Sequence, residues 1–175
     1  IDAFKLDSKS IPREKKVPRV CIQDEIQTEI NLVSNIPHLP PFVGIQLESS
    51  TIIRNYPAEL MKQVIDGLNA IGIPTIIIGD HISGGNLVKK YKLCDELISF
   101  DFTKHCKSLQ HLFAIIQFCD FIIVPDTSGM HIAGALEKTM IGLFGPIPSK
   151  LRIGYFNNAI GMDGMTRCAP CFLHG

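Results

Sequence analysis

The chain has 175 residues, 46% hydrophobic and 7% aromatic, enough for one domain with a sizeable core. Lys+Arg and Asp+Glu are both 17, so no global charge draws it to nucleic acid or an anionic surface, and the one basic cluster, Arg13 to Lys16, is broken by Glu14. No apolar run approaches the ~20 residues that span a bilayer, and no signal peptide opens the chain.

Residues 1–40 read as a lead-in or interdomain linker, interrupted by prolines at 12, 18, 37, 40 and 41, with a short helix expected from Asp24 to Val33. The globular pattern starts with a strand, Phe42 to Leu47, followed by the loop ESSTIIRNY. Pro57 opens a helix whose Leu60, Met61, Val64, Ile65, Leu68 and Ile71 recur at helical spacing, and Gly72 supplies its stop. PTIIIGD is a β-branched run of strand length. A short helix from Asn86 to Tyr91 then leads into a third strand, ELISF.

Ser108 is placed to cap a helix with Leu109, Leu112, Phe113, Ile116 and Cys119 on its inner side. Strand four is Phe121 to Val124, a helix runs from Met130 to Glu137, and strand five is Met140 to Phe144, after which GPIP breaks the pattern. Nearly continuous apolar strands alternating with helices predict an α/β, Rossmann-like, doubly wound parallel sheet over residues 41–175. The six cysteines show no disulfide framework, so a reducing, cytoplasmic setting is expected. Cys168-x-x-Cys171, with His174 behind it, lacks the further ligands of a zinc site and reads as a packed or free thiol pair.

In such sheets ligands bind beyond the carboxyl ends of the strands, so the chemistry belongs to the loops that follow the apolar runs. ESSTIIR offers hydroxyls at Ser49, Ser50 and Thr51 and a cation at Arg54, types that suit phosphate oxygens or a plain solvated loop. PDTSGMH runs into a helix, where backbone N–H groups attract an anion; Asp126, Thr127 or Ser128 could equally be a simple cap. Neither G-x-G-x-x-G after strand one nor a P-loop occurs, which counts against a nicotinamide dehydrogenase and a P-loop NTPase. Asp126, Ser128 and His131 share one loop without a nucleophile elbow, which counts against a serine hydrolase.

Taken together, VGIQLESSTIIRNYP, PDTSGMHIAGAL, MIGLFGPIP and the late CAPC resemble segments of glycosyltransferase family 9, the heptosyltransferase-related family of bacterial lipopolysaccharide synthesis, in order and spacing from Phe42 to Cys171. Arg54 stands where the family commonly has Lys, and Thr139 where Pro is usual. The resemblance implies a GT-B architecture of two Rossmann-like domains, with this chain a piece of a longer protein that contains the second, donor-holding one. It implies that Ser49, Ser50 and Arg54 bind the donor diphosphate and that Thr127, Ser128 and Gly129 meet its phosphates. Asp126 would lie near the sugar hydroxyls, His131 would support the loop or the phosphate, and Lys107, Ser108 and Leu109 would line the base pocket. Asp80 is the candidate for the ribose.

The implied activity is inverting, metal-independent glycosyl transfer from a nucleoside-diphosphate sugar, an ADP-sugar such as ADP-heptose being favoured, with no cofactor. The acceptor, a glycan or a lipid-linked sugar, and the catalytic base would belong to the amino-terminal domain, so this piece alone would be inactive. Peripheral association with the inner face of the cytoplasmic membrane is compatible with that acceptor. The other readings are a non-catalytic nucleotide-sugar-binding or assembly domain and a GT-B nucleotide-sugar epimerase.

Overall fold

The computed structural model describes residues 12, 15, 17–33, 36, 41–95 and 97–171. Arg13, Glu14 and Lys16 of the basic cluster, Pro37, Pro40, Glu96 at the head of the third expected strand, and His174 lie outside the described residues.

The apolar runs form strands β1 (Val43–Gln46), β2 (Thr75–Ile78), β3 (Ser99–Asp101), β4 (Phe121–Pro125), β5 (Thr139–Phe144) and β6 (Ala159–Asp163). They make one sheet in the order β3-β2-β1-β4-β5-β6, with every pairing parallel. The helices are α1 (Asp24–Val33), α2 (Ala58–Ala70), α3 (Ser83–Tyr91), α4 (Leu109–Phe118), α5 (Ser128–Ala135) and α6 (Ser149–Ile153).

Strand alternation sends Ile76 and Ile78 to one face and Ile77 to the other. On the first face they share a core with Leu112, Ile115 and Ile116 of α4, Met130 and Ile132 of α5 and Ile153 of α6. On the second, Ile77 joins Val43 and Ile45 with Met61 and Ile65 of α2 and Val88 of α3. Helices therefore cover both faces, and the doubly wound α/β reading holds. Because β1 pairs with both β2 and β4, the chain changes direction across the sheet between β1 and β4, the switch point at whose carboxyl edge sheets of this kind bind ligands.

The stop signal read at Gly72 works through its backbone. Its φ of +78° suits glycine, its N–H donates to the Asn69 carbonyl at 2.9 Å, and the Ile73 N–H donates to the Leu68 carbonyl at 3.0 Å. Ser108 caps α4 as expected, its Oγ accepting from the His111 N–H at 3.4 Å.

Several expectations need correction. In α2 only Met61 and Ile65 are buried; Leu60 is exposed, and Ile71 is a C-cap turned to solvent. In α4 Leu109 is exposed while Ala114 and Ile115 are buried, because α4 is covered by the sheet on one side and by α1 on the other. Helix α3 begins at Ser83, three residues before Asn86, and α5 begins at Ser128, two residues before Met130. The pattern also resumes after GPIP. A five-residue helix, α6, leads to β6, an edge strand whose residues from Ile160 onward are exposed, so neither carries the apolar periodicity that marks the inner elements.

Within the segment read as lead-in, α1 and the residues before it are tied to α4. The Gln23 N–H donates to Gln110 Oε1 at 3.1 Å, Gln110 Nε2 donates to the Cys21 carbonyl at 3.3 Å, and Lys107 Nζ reaches Glu29 Oε1 at 2.8 Å. Ile30 is fully buried in the same apolar cluster as Ile115. Ile30→Ala should therefore cost roughly 2–5 kcal/mol in urea unfolding, whereas Leu32→Ala, on the exposed side of α1, should stay within about 0.5 kcal/mol.

Candidate functional site

At the β1/β4 switch point the loops after the two strands meet, and Arg54 joins them. The segment after β1 turns through a single 3₁₀ turn, Ile52–Arg54, held by the Thr51 carbonyl, which accepts from the Arg54 N–H at 3.1 Å. The turn projects the Arg54 guanidinium back across the loop. Nε donates to Thr51 Oγ1 at 2.9 Å, Nη2 donates to Ser50 Oγ, and Nη1 donates to the Asp126 carbonyl at 3.1 Å, on the loop after β4. The Ser49 hydroxyl is also occupied within its loop: it donates to the Thr51 carbonyl at 2.9 Å and accepts from the Thr51 N–H at 3.3 Å. Of the two serines expected to meet a diphosphate, Ser49 thus shapes the loop and Ser50 steadies the arginine.

On the other side, β4 ends at Pro125 and α5 starts at Ser128. Thr127 is the N-cap residue, with extended backbone (φ −149°, ψ 177°), yet its side chain makes no capping hydrogen bond. The cap reading of PDTSGMH is therefore met in position but not in chemistry. Among the described residues the N–H groups of Ser128 and Gly129 have no side-chain acceptor, while the Met130 N–H donates to the Thr127 carbonyl at 3.2 Å; this end carries the positive pole of the helix dipole. Ser128 is exposed, and Gly129 is buried.

Gly129 is required by a neighbour that the sequence reading passed over. A Cβ there would lie 1.8 Å from Oε1 of Gln46, the last residue of β1. The buried Gln46 amide is laid against the first turn of α5, its Nε2 donating to the Glu48 carbonyl at 3.4 Å. The bare α-carbon at residue 129 is what lets β1 and α5 approach.

Asp126, expected near the sugar hydroxyls, is held among cations. It is only 4% exposed, and its Oδ2 lies 3.4 Å from Arg152 Nε and 3.9 Å from Arg54 Nη1. The carboxylate faces inward, between two guanidiniums. Arg152 comes from α6, the helix that the apolar pattern did not reveal. Reading the loop after strand five by the rule applied to strands one, two and four would have found it.

His131, one turn into α5, meets Tyr155, with Nδ1 and the phenolic oxygen 3.2 Å apart. Burial holds the His131 imidazole below its ordinary pKa; Asp126 pulls in the opposite direction, and Arg152 adds to the lowering. The same burial raises the Tyr155 phenol.

The residues expected at the ribose and the base have partners within the protein. Asp80 caps the start of α3, its Oδ1 accepting from the N–H groups of Ile82 at 2.9 Å and Ser83 at 3.1 Å, and these bonds hold its carboxyl below the usual carboxylate range. Glu48, after β1, reaches the Ser83 hydroxyl at 2.9 Å, so the β1 loop supplies a second carboxylate at this corner. Lys107, Ser108 and Leu109 stand at the start of α4. Lys107 is paired with Glu29, Ser108 Oγ lies 2.8 Å from His111 Nδ1 as well as capping the helix, and Leu109 is exposed.

Two measurements check this geometry. Gly129→Ala should destabilise the protein by about 1–3 kcal/mol by displacing the Gln46 amide, and Gln46→Ala in the same chain should recover part of that loss in a double-mutant cycle. His131 should titrate below the ~6.5 of an ordinary imidazole by NMR. Because the fold favours its neutral form, the unfolded chain binds more protons as pH falls through that value. The stability His131 contributes is thus present above it and lost below it.

The fold has counterparts among known proteins. The chain superposes on the E. coli ADP-heptose lipopolysaccharide heptosyltransferase II with a TM-score of 0.68 at 15% identity, covering 83% of this chain and 45% of that one. A family 9 glycosyl transferase from Veillonella parvula DSM 2008 gives 0.69 at 19% identity, covering 84% and 42%. E. coli heptosyltransferase WaaC with ADP gives 0.62 at 20% identity, covering 75% and 41%. The chain thus spans less than half the length of each of these structures. No curated protein sequence matches it significantly. The model of glycosyltransferase family 9 (heptosyltransferase) matches residues 9–175, and the chain belongs to that family.

Proposed function

We propose that this chain is the donor-binding domain of a two-domain, inverting and metal-independent glycosyltransferase whose donor is a nucleoside-diphosphate sugar of the ADP-heptose kind. The observation that carries the reading is the open amino terminus of α5, beside a guanidinium that ties it to the loop after β1 at the topological switch point. Helix N–H groups without a side-chain cap, a helix dipole and fixed cations are what a diphosphate needs. Support for an adenine nucleotide comes from the heptosyltransferases that this fold resembles, one described with ADP and another named for ADP-heptose.

The chemistry follows from charge. As the glycosidic bond to the donor phosphate breaks, the sugar becomes oxocarbenium-like and the departing diphosphate gains negative charge. Donors already fixed at that place stabilise the transition state more than the ground state, without reorganisation. Here those donors are the first turn of α5 and the guanidiniums beside it. They take the part that a divalent cation plays in other nucleotide enzymes. The acceptor, a glycan or lipid-linked sugar, and the base that activates its hydroxyl belong to the rest of the protein, so this chain alone binds donor without transferring it. A cytoplasmic setting suits such a donor, and no described helix is long and apolar enough to cross a membrane.

Titration calorimetry with ADP, ADP-sugars and UDP-sugars tests the reading. Nucleoside diphosphates should bind, adenine more tightly than uracil, with affinities unchanged by EDTA. A folded protein that binds none of them, or only with added divalent metal, contradicts it.

A further inference from the structure

Of the two arginines at Asp126, Arg54 has much of its hydrogen-bonding capacity committed within the protein. A guanidinium carries five N–H donors. Arg54 uses one on each of its three nitrogens, toward Thr51, Ser50 and the Asp126 carbonyl. Its side chain is 18% exposed. Arg54 is the family-expected cation, but its geometry is that of a latch that fixes two loops relative to each other.

Arg152 is arranged in the opposite way. Its side chain is 34% exposed and is anchored at Nε, which is buried 3.4 Å from Asp126 Oδ2. Among the described residues its guanidinium donates no hydrogen bond, and Asp126 Oδ2 accepts none although it too is buried. The Asp126 carboxylate therefore orients the guanidinium without occupying its outer N–H groups. The Arg152 charge also disfavours protonation of His131 in α5. The Asp126–Arg54–Arg152 cluster carries formally one excess positive charge next to the open helix end.

We propose that Arg152 is the guanidinium that directly grips the donor's diphosphate, with Asp126 as its positioning residue and Arg54 as the structural latch of the site. The inference rests on the donor-binding reading above and adds the residue that discriminates a diphosphate from a bare nucleoside. Asp126 holds Arg152 with its planar fork presented in advance, so that ordering the side chain costs little on binding. When the donor arrives, charge-assisted bonds to phosphate oxygens fill the N–H positions that the protein leaves open.

Binding of ADP and of adenosine to the protein and to its Arg152→Ala and Arg152→Lys variants tests this, with circular dichroism confirming that each variant is folded. Arg152→Ala should weaken ADP roughly 10- to 100-fold and leave adenosine unchanged. Arg152→Lys should recover part of the ADP loss, since charge returns without the fork. Unchanged ADP affinity in Arg152→Ala overturns the proposal. So does a parallel loss of ADP and adenosine, which marks a packing role. A wild-type protein that binds adenosine and ADP equally also overturns it, and one that binds no nucleoside diphosphate removes the donor-binding reading itself.

Discussion

The site depends on Asp126 at the end of β4. Its backbone carbonyl takes a hydrogen bond from Arg54 at 3.1 Å, and its carboxylate, almost wholly buried, faces both Arg54 and Arg152. Three separate loops, following β1, β4 and β5, are thereby held around one residue. An isolated charge so deeply buried would be costly, and here two guanidiniums supply the opposite charge. The residue read as a sugar ligand is thus the keystone of the cations. Loss of its carboxylate would leave Arg152 without its anion, while Arg54 would keep its bonds to Thr51, Ser50 and the carbonyl of residue 126.

The same economy runs through the first turn of α5. Thr127 holds the N-cap position, but its hydroxyl leaves the helix N–H groups uncapped, and Gly129 gives up its side chain so that Gln46 can lie against the turn. Helix caps typically contribute ~1 kcal/mol, so an open terminus forgoes stability that a capped one would have. Open donors at a strand–helix junction are the form that anion sites take in α/β folds. The hydroxyls of the β1 loop complete the division of labour, with Ser49 and Ser50 serving geometry before they serve any ligand.

Much of the inner fold was legible in the sequence because buried parallel strands are apolar runs and their helices carry apolar stripes. The runs at Val43, Thr75 and Phe121 and the stop at Gly72 fall where pattern and turn chemistry put them. What pattern missed lies at the margins, where burial is one-sided or local. Helix α6 buries only Ile153, β6 is an exposed edge, and Leu60, Ile71 and Leu109 are apolar residues on solvent faces. The site shows the same division. Loop chemistry pointed to Arg54 and to residues 126–131, but Arg152 reaches Asp126 only through the tertiary placement of α6, and Gln46 hides inside an apolar strand. The loop rule extended to strand five would have reached Arg152, but no local signal distinguishes Gln46 from an ordinary strand amide.

The central claim is that an anion is held at the start of α5 between the loops after β1 and β5. Amide NMR with ADP added to the labelled protein tests it most directly. The account predicts that the largest shifts fall on the N–H groups of Ser128 and Gly129 and on the residues around Arg54 and Arg152. Shifts centred elsewhere, such as along the β3 edge near Lys89 and Lys104, with α5 unmoved, would contradict it.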